Sequence, residues 1–458
     1  MKGGNHMKGN IIFWAIVSAL AGFLFGFDTV VISGAEKTIE ALWGLTPSMH
    51  GIAMAAALYG TTLGAIFGGI PSNRLGRRKT LICIGALYFV SAVWSGLATG
   101  VWTFIIARFI GGVGVGVSTV AAPLYISEIA PPRHRGVLTG LFQFNIVFGI
   151  IVAYFSNFLL GGIGDTAWRW MLGVEAFPAL AYWALCFAIP ESPRWLILHG
   201  DTAGGMGVLR RLQPSASEAD VRGLADEIEA SGREMKTGRA DSILLRKFRT
   251  PLLLAFTVAF FNQLSGINAI LYFAPRIFEL TGLGAKAALL NSVGIGVTNL
   301  IFTFAGLALI DRLGRKTLLY LGSFGYIASL GLTAWAFFSG TFGIVPACIF
   351  GFVGAHALGQ GAVIWVFISE IFPNAQRGQG QAFGAATHWV FAALLTTVFP
   401  YAVARIVPNP EATVAPAGYI FGFFCFMMVL HLLWVFLLVP ETKGVPLEQM
   451  QKRLGRDG

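Results

Sequence analysis

The chain has 458 residues, 55% of them hydrophobic and only 12% charged, with a mean hydropathy of +0.71. A soluble domain carries about 25% charged residues, so the composition excludes a soluble globular fold and points to an integral membrane protein. The net charge of +10 calls for no nucleic-acid partner, because basic loops on one side of a membrane give the same balance.

Runs of about 20 apolar residues cross a bilayer core as helix. Twelve such runs can be placed between turn-like or charged breaks, near 11–34, 49–70, 80–98, 101–127, 137–160, 170–190, 250–280, 287–310, 317–338, 342–371, 378–404 and 416–439. The expected fold is therefore all-α and multi-pass. Of the 32 Lys and Arg residues, 26 fall in the termini and in the alternate loops that share their side. The positive-inside rule then predicts that both termini are cytoplasmic. Cys83, Cys186, Cys348 and Cys425 all fall within predicted spans with no metal-ligand spacing, so neither disulfides nor a metal or other cofactor is expected.

The first span contains GFLFGFDTVVISG at 22–34, which places the carboxylate of Asp28 inside an apolar run. An ionisable residue within a membrane is costly and is a functional candidate by default, usually with a partner. Depth supplies one. Asp28 lies six residues before the outer end of the first span, roughly 9 Å, and Arg108 lies seven residues after the outer start of the fourth, roughly 10 Å. A carboxylate beside a guanidinium stays ionised, whereas one left alone in a low-dielectric cavity takes up a proton. The pair reads either as a proton-loading site or as a static bridge between two spans. Glu175, near the start of the sixth span, reads as interfacial and is not assigned to coupling.

Further along, uncharged amides occur at mid-depth: Gln143 in the fifth span, Asn262, Gln263 and Asn268 in the seventh, and Asn299 in the eighth. Trp365 in the tenth and Trp389 in the eleventh supply flat apolar faces and N–H donors. Amides donate and accept together, which suits a polyhydroxylated, uncharged ligand such as a sugar. Taken singly, each is also compatible with a helix–helix hydrogen bond.

An internal repeat organises the chain. RLGRRKTL at 74–81 returns as RLGRKTL at 312–318, SEIAPPRHRG at 127–136 returns as SEIFPNAQRG at 369–378, and PESP at 190–193 returns as PETK at 440–443. Six spans intervene each time, so the copies run parallel about an axis along the membrane normal. The expected organisation is an N-terminal six-helix half at 11–190, a cytoplasmic helical linker at 191–249, a C-terminal six-helix half at 250–439 and a tail at 440–458. The linker reads equally as a tether or as part of a gate.

These motifs, with ARFIGGVGVG at 107–116, PESPRWL at 190–196 and NQLSGIN at 262–268, make the chain resemble the sugar porter family of the major facilitator superfamily over nearly its whole length after residue 10. The resemblance implies twelve transmembrane helices and transport of a monosaccharide, hexose or pentose, by alternating access. It implies a proton site at Asp28, tuned by Arg108, because proton-coupled members typically carry Asp there and many passive relatives carry Asn. It implies sugar contacts at the amides and tryptophans above, together with Phe25 and Tyr272. His388 replaces the Gln usually seen before Trp389 and joins that set, while His356 falls where an aromatic often lines the site. The resemblance also implies a cytoplasmic latch built from Arg74, Glu128, Arg135 and Glu191 in one half and Arg312, Glu370, Arg377 and Glu441 in the other. Asn73 departs from the family pattern, which has Asp there, as Asp311 is in the second copy.

The function expected on these grounds is proton-coupled monosaccharide symport, with passive sugar or polyol uniport as the alternative and no enzymatic chemistry. The expected partners are the sugar, the proton and the bilayer. A monomer in a bacterial inner membrane is the expected setting.

Overall fold

The computed structural model describes residues 9–131, 134–237, 242–373, 375–406, 415–445 and 450. Residues 1–8 and most of the expected tail lie outside that set. The described part is all helical. The N-terminal half comprises α1 (Gly9–Val31), α2 (Glu36–Leu42), α3 (Pro47–Phe67), α4 (Gly69–Leu75), α5 (Arg77–Leu97), α6 (Val101–Ile129), α7 (Arg135–Leu160), α8 (Ala167–Gly173) and α9 (Ala176–Cys186). The linker contributes α10 (Pro193–Leu198), α11 (Thr202–Leu212) and α12 (Glu218–Thr237). The C-terminal half comprises α13 (Arg249–Leu264), α14 (Ile267–Tyr272), α15 (Ala274–Glu279), α16 (Ala285–Leu313), α17 (Arg315–Ser339), α18 (Val345–His356), α19 (Ala362–Ile371), α20 (Arg377–Ile406) and α21 (Ala415–Leu437).

Among the described residues, eleven helical segments are long and apolar enough to cross a membrane. The sixth predicted span is the exception. It is split into α8 and α9 around Val174 and Glu175, where a buried carboxylate interrupts the apolar run. Two other spans are broken for local reasons. Gly266 adopts φ +87° between α13 and α14, a left-handed conformation that costs glycine nothing, and a side chain there would meet the Phe424 ring. The tenth span contains a π-helical turn at Ala357–Gly361 between α18 and α19.

Small residues let the helices approach closely. A Cβ on Gly112 or Gly116 of α6 would run into the carbonyls of Ala57 and Thr61 in α3. Between the halves, α3 packs along α20 and α7 along α16.

The buried apolar side chains form two separate cores. One joins Val30, Val31, Ile32, Ile39 and Met54 of the N-terminal half to Ile270, Phe273, Phe278 and most of the C-terminal half. Val30, Val31, Ile32 and Ile39 carry it across the halves at the end remote from the linker. The other joins Trp14, Leu81, Tyr125 and Ile126 to Ile197, Val208, Leu212 and Val221 of the linker. The linker is therefore packed onto the N-terminal half. Trp195 Nε1 donates to the Asn73 carbonyl at 2.7 Å, and the Arg211 guanidinium lies 5.1 Å from the Trp14 ring centre.

Candidate functional site

Asp28 and Arg108 meet as their depths predict. Both are 2% exposed. An Arg108 Nη1–Asp28 Oδ1 ion pair joins α1 to α6, and Arg108 Nη2 donates to the Asp28 carbonyl at 2.8 Å. The pair has a neighbour that depth reasoning missed. Glu175 is 2% exposed and interacts electrostatically with both Asp28 and Arg108, so it is not interfacial. The sixth span begins at Ala167 rather than near 170, which draws Glu175 further into the membrane. A second buried carboxylate thus lies within electrostatic reach of the pair. Tyr272, from the C-terminal half, is within electrostatic reach of Asp28 and Arg108, and its buried hydroxyl has no hydrogen-bond partner.

The amides gather on the C-terminal half. Across the break at Gly266, Asn268 Nδ2 of α14 donates to Gln263 Oε1 at 2.7 Å. Gln263 Nε2 donates to Asn262 Oδ1 at 3.2 Å and lies 3.0 Å from one ring nitrogen of His388 on α20. The rings of Trp365 and His388 are 5.2 Å apart, and those of His388 and Trp389 4.8 Å. Phe25 of α1 reaches across the halves to Trp389, with ring centres 5.6 Å apart. Amides beside flat aromatic faces form the kind of surface that a sugar requires. Gln143 and Asn299 are not hydrogen-bonded into this cluster. Asn299 instead accepts from Thr303 one turn along α16. His356 is held through Nδ1 by the Tyr326 hydroxyl at 2.6 Å.

At the linker end the repeated motifs form the same construction twice, but not with every expected residue. Gly76 and Gly314 have φ +95° and +91°, and the chain turns there to start a new helix at Arg77 and Arg315. Arg77 Nε and Nη2 grip Glu128 at 2.9 and 2.8 Å, and Arg315 grips Glu370 at 3.0 and 2.7 Å. Such bidentate forks are the strong form of this ion pair. Arg74 and Arg312, the expected partners, stay exposed on the preceding helices, because the reversal carries only the residue after the glycine toward the carboxylate. Arg135 is exposed as well, and Arg377 donates to the Ser369 carbonyl at 3.0 Å. Glu191 accepts the backbone N–H of Arg77 at 2.8 Å, and Glu441 that of Arg315 at 3.0 Å. Each carboxylate occupies the space that a Cβ on the glycine would need. Asn73 Oδ1 accepts from Arg77 at 3.3 Å, where Asp311 accepts from Arg315 at 3.0 Å. All these pairs lie within one half.

The ion pairs between the halves are at the opposite end. Arg276 on α15 donates to Glu36 Oε1 and Oε2 at 2.8 Å each and also pairs with Glu40 on α2. Lys37 pairs with Glu279, and the Tyr154 hydroxyl donates to the Leu271 carbonyl at 2.7 Å. His50 and Arg276 hold the Glu40 carboxyl down at about 2, against the opposing pull of burial, so Glu40 is a charged partner at neutral pH. Sequence reasoning did not find this gate, since its members are about 240 residues apart and lie outside the repeats.

Two parallel six-helix halves, a polar cluster at mid-depth and ion pairs that tie the halves at one end define a secondary transporter that exposes a central site to alternate sides. Comparison with known proteins makes the class specific. The Sugar (and other) transporter family matches residues 14–454, and the chain belongs to it. The arabinose-proton symporter of Bacillus subtilis is 35% identical over 98% of this chain and 96% of its own length. The D-xylose-proton symporter of Escherichia coli is 33% identical over 95% and 94%. The inward open conformation of the E. coli xylose transporter XylE superposes with a TM-score of 0.83 at 32% identity, covering 97% of this chain and 99% of that one.

Proposed function

We propose that this protein is a proton-coupled monosaccharide symporter. The linker end and both termini face the cytoplasm of a bacterial inner membrane, and the structure is closed toward the outside. The observation that carries the reading is the buried acidic group at Asp28, Arg108 and Glu175, set against Tyr272 of the opposite half. Two carboxylates against one guanidinium leave this group one positive charge short, and a proton supplies it. Because the group borders the moving interface, its protonation and the position of the halves affect each other, as coupling requires. Gln263, Asn262, Asn268 and His388, with Trp365, Trp389 and Phe25, would hold the sugar, while Gln143 and Asn299 would add contacts from α7 and α16. The forks at the linker end, Arg77–Glu128 with Glu191 and Arg315–Glu370 with Glu441, would shape the cytoplasmic gate, with Arg135 and Arg377 beside them. The charge distribution supports the orientation, and the proton symporters among the relatives disfavour passive uniport. A monomer suffices, since both halves of the site come from one chain.

The test is uptake of labelled xylose, arabinose, glucose and galactose into proteoliposomes with and without an inward proton gradient. Wild type accumulates at least one of them against its gradient. Asp28→Asn retains sugar exchange but loses accumulation. Gradient-driven accumulation by Asp28→Asn refutes the assignment.

A further inference from the structure

Glu36, Glu40 and His50 form a compact group at the outer end of the N-terminal half, and transport as proposed uses them only as partners of Arg276. Glu36 and Glu40 stand one turn apart on α2, and His50 lies in the first turn of α3. His50 Nε2 is 3.2 Å from Glu36 Oε2, and Nδ1 is 3.4 Å from Glu40 Oε1. One ligand atom from each residue can be chosen so that all three lie within 4.8 Å of one another. The His50 side chain is fully buried and aimed at both carboxylates, yet neither ring nitrogen makes a well-formed hydrogen bond. A buried imidazole held between two carboxylates at ion-pair distance but short of good hydrogen-bond geometry calls for an explanation.

We infer that Glu36, Glu40 and His50 bind a divalent cation of the Zn2+ class when the outer gate opens, and that the cation takes the place of Arg276 and holds the gate open. This rests on the two-state cycle and orientation proposed above. All three residues belong to the N-terminal half, so rotation of the halves removes Arg276 and leaves them together. Two carboxylates then face water without their counter-charge, and a 2+ ion neutralises them. Zn2+ binds imidazole nitrogen and carboxylate oxygen at about 2.0–2.2 Å, which puts tetrahedral ligands roughly 3.3–3.5 Å apart. One imidazole nitrogen serves a single ion: Nε2 already stands 3.2 Å from Glu36 Oε2, and with one ligand atom from each residue within 4.8 Å of the others a small shift of the Glu40 side chain closes the set. A water or solvent ligand completes the shell. Mg2+ and Ca2+ prefer six or more oxygen ligands and are poorly served by an imidazole. Arg276 and the metal compete for the same oxygens, so a bound metal and a closed gate exclude each other.

The experiment uses the full chain in proteoliposomes, with ZnCl2 or MgCl2 added outside, and measures sugar uptake. Calorimetry on the purified protein measures Zn2+ binding without reference to transport. Zn2+, but not Mg2+, inhibits the wild type. His50→Gln and Glu40→Gln each raise the Zn2+ concentration for half-inhibition and for binding by more than the roughly 10–100-fold that a lost supporting contact costs. Arg276→Gln, which removes the competitor, lowers both. A wild type that transports and neither binds Zn2+ nor is inhibited by it overturns the inference, as does inhibition unchanged in both ligand variants. Absence of accumulation in metal-free buffer would instead count against the transport reading, with calorimetry still reporting on the metal site.

Discussion

Replacing Arg276 by Gln tests whether the outer end is a gate held by charge. In the closed form Arg276 makes a fork to Glu36, whose side chain is fully buried, and a further contact to Glu40, whose side chain is 32% exposed. Removing one partner of a buried pair costs about 3–5 kcal/mol, because the other charge is left without solvent or partner. Arg276 is itself 25% exposed, so solvent screening reduces the effect to about 2–3 kcal/mol. In the open form the glutamates are hydrated and the substitution costs little. The closed form therefore loses roughly 30- to 150-fold in population relative to the open one, at 1.36 kcal/mol per tenfold. Lys37, 53% exposed, pairs with Glu279 at the rim and contributes less than about 1 kcal/mol, which makes Lys37→Gln the control. The assay is labelling of a single cysteine at Ser33, in a background without the native cysteines, by an impermeant maleimide added outside. Ser33 is 3% exposed when the gate is closed, so its labelling rate follows the open population. Equal labelling rates in Arg276→Gln and Lys37→Gln would refute the reasoning.

The two linker-end forks make a matched pair for mutation. Arg77→Gln strands Glu128, whose side chain is 6% exposed, whereas Arg315→Gln leaves Glu370 25% exposed and still bonded to the Thr442 hydroxyl at 2.6 Å. Arg77→Gln is expected to cost about 3–5 kcal/mol and Arg315→Gln about 1–2 kcal/mol. A thermal unfolding midpoint lowered equally by the two, or more by Arg315→Gln, contradicts this. Gln263→Leu removes a group bonded to both Asn262 and Asn268 and lying against His388. An unsatisfied buried polar group costs about 1–3 kcal/mol, so sugar affinity, followed by tryptophan fluorescence, falls roughly 5- to 150-fold. Asn299→Leu, outside that network, falls less, and the reverse order would place the sugar elsewhere.

The spans, the two halves and the linker were legible because apolar run length and the repeated motifs report on them directly. Asp28 and Arg108 were found together from depth alone, since a charge in a membrane needs a partner and few residues offer one. Depth failed at Glu175, where the span starts three residues earlier than its hydropathy indicates. The forks fall three residues beyond the motif arginines Arg74 and Arg312, because the turn at Gly76 and Gly314 depends on backbone torsion, which residue type alone does not reveal. Gln143 and Asn299 have the right chemistry and depth, but periodicity does not tell which neighbours a side chain meets. The gate of Glu36, Glu40, His50 and Arg276 left no trace in either repeat or spacing.

The two apolar cores give the cycle a thermal bias. Opening the outer end means parting Val31, Ile39 and Met54 from Phe273 and Phe278 and wetting both surfaces, whereas the second core lies wholly within the N-terminal half and its linker. Hydration of apolar surface raises the heat capacity, and the penalty for it weakens on cooling. The apolar contribution that holds the outer end shut is therefore curved in temperature and weakens in the cold.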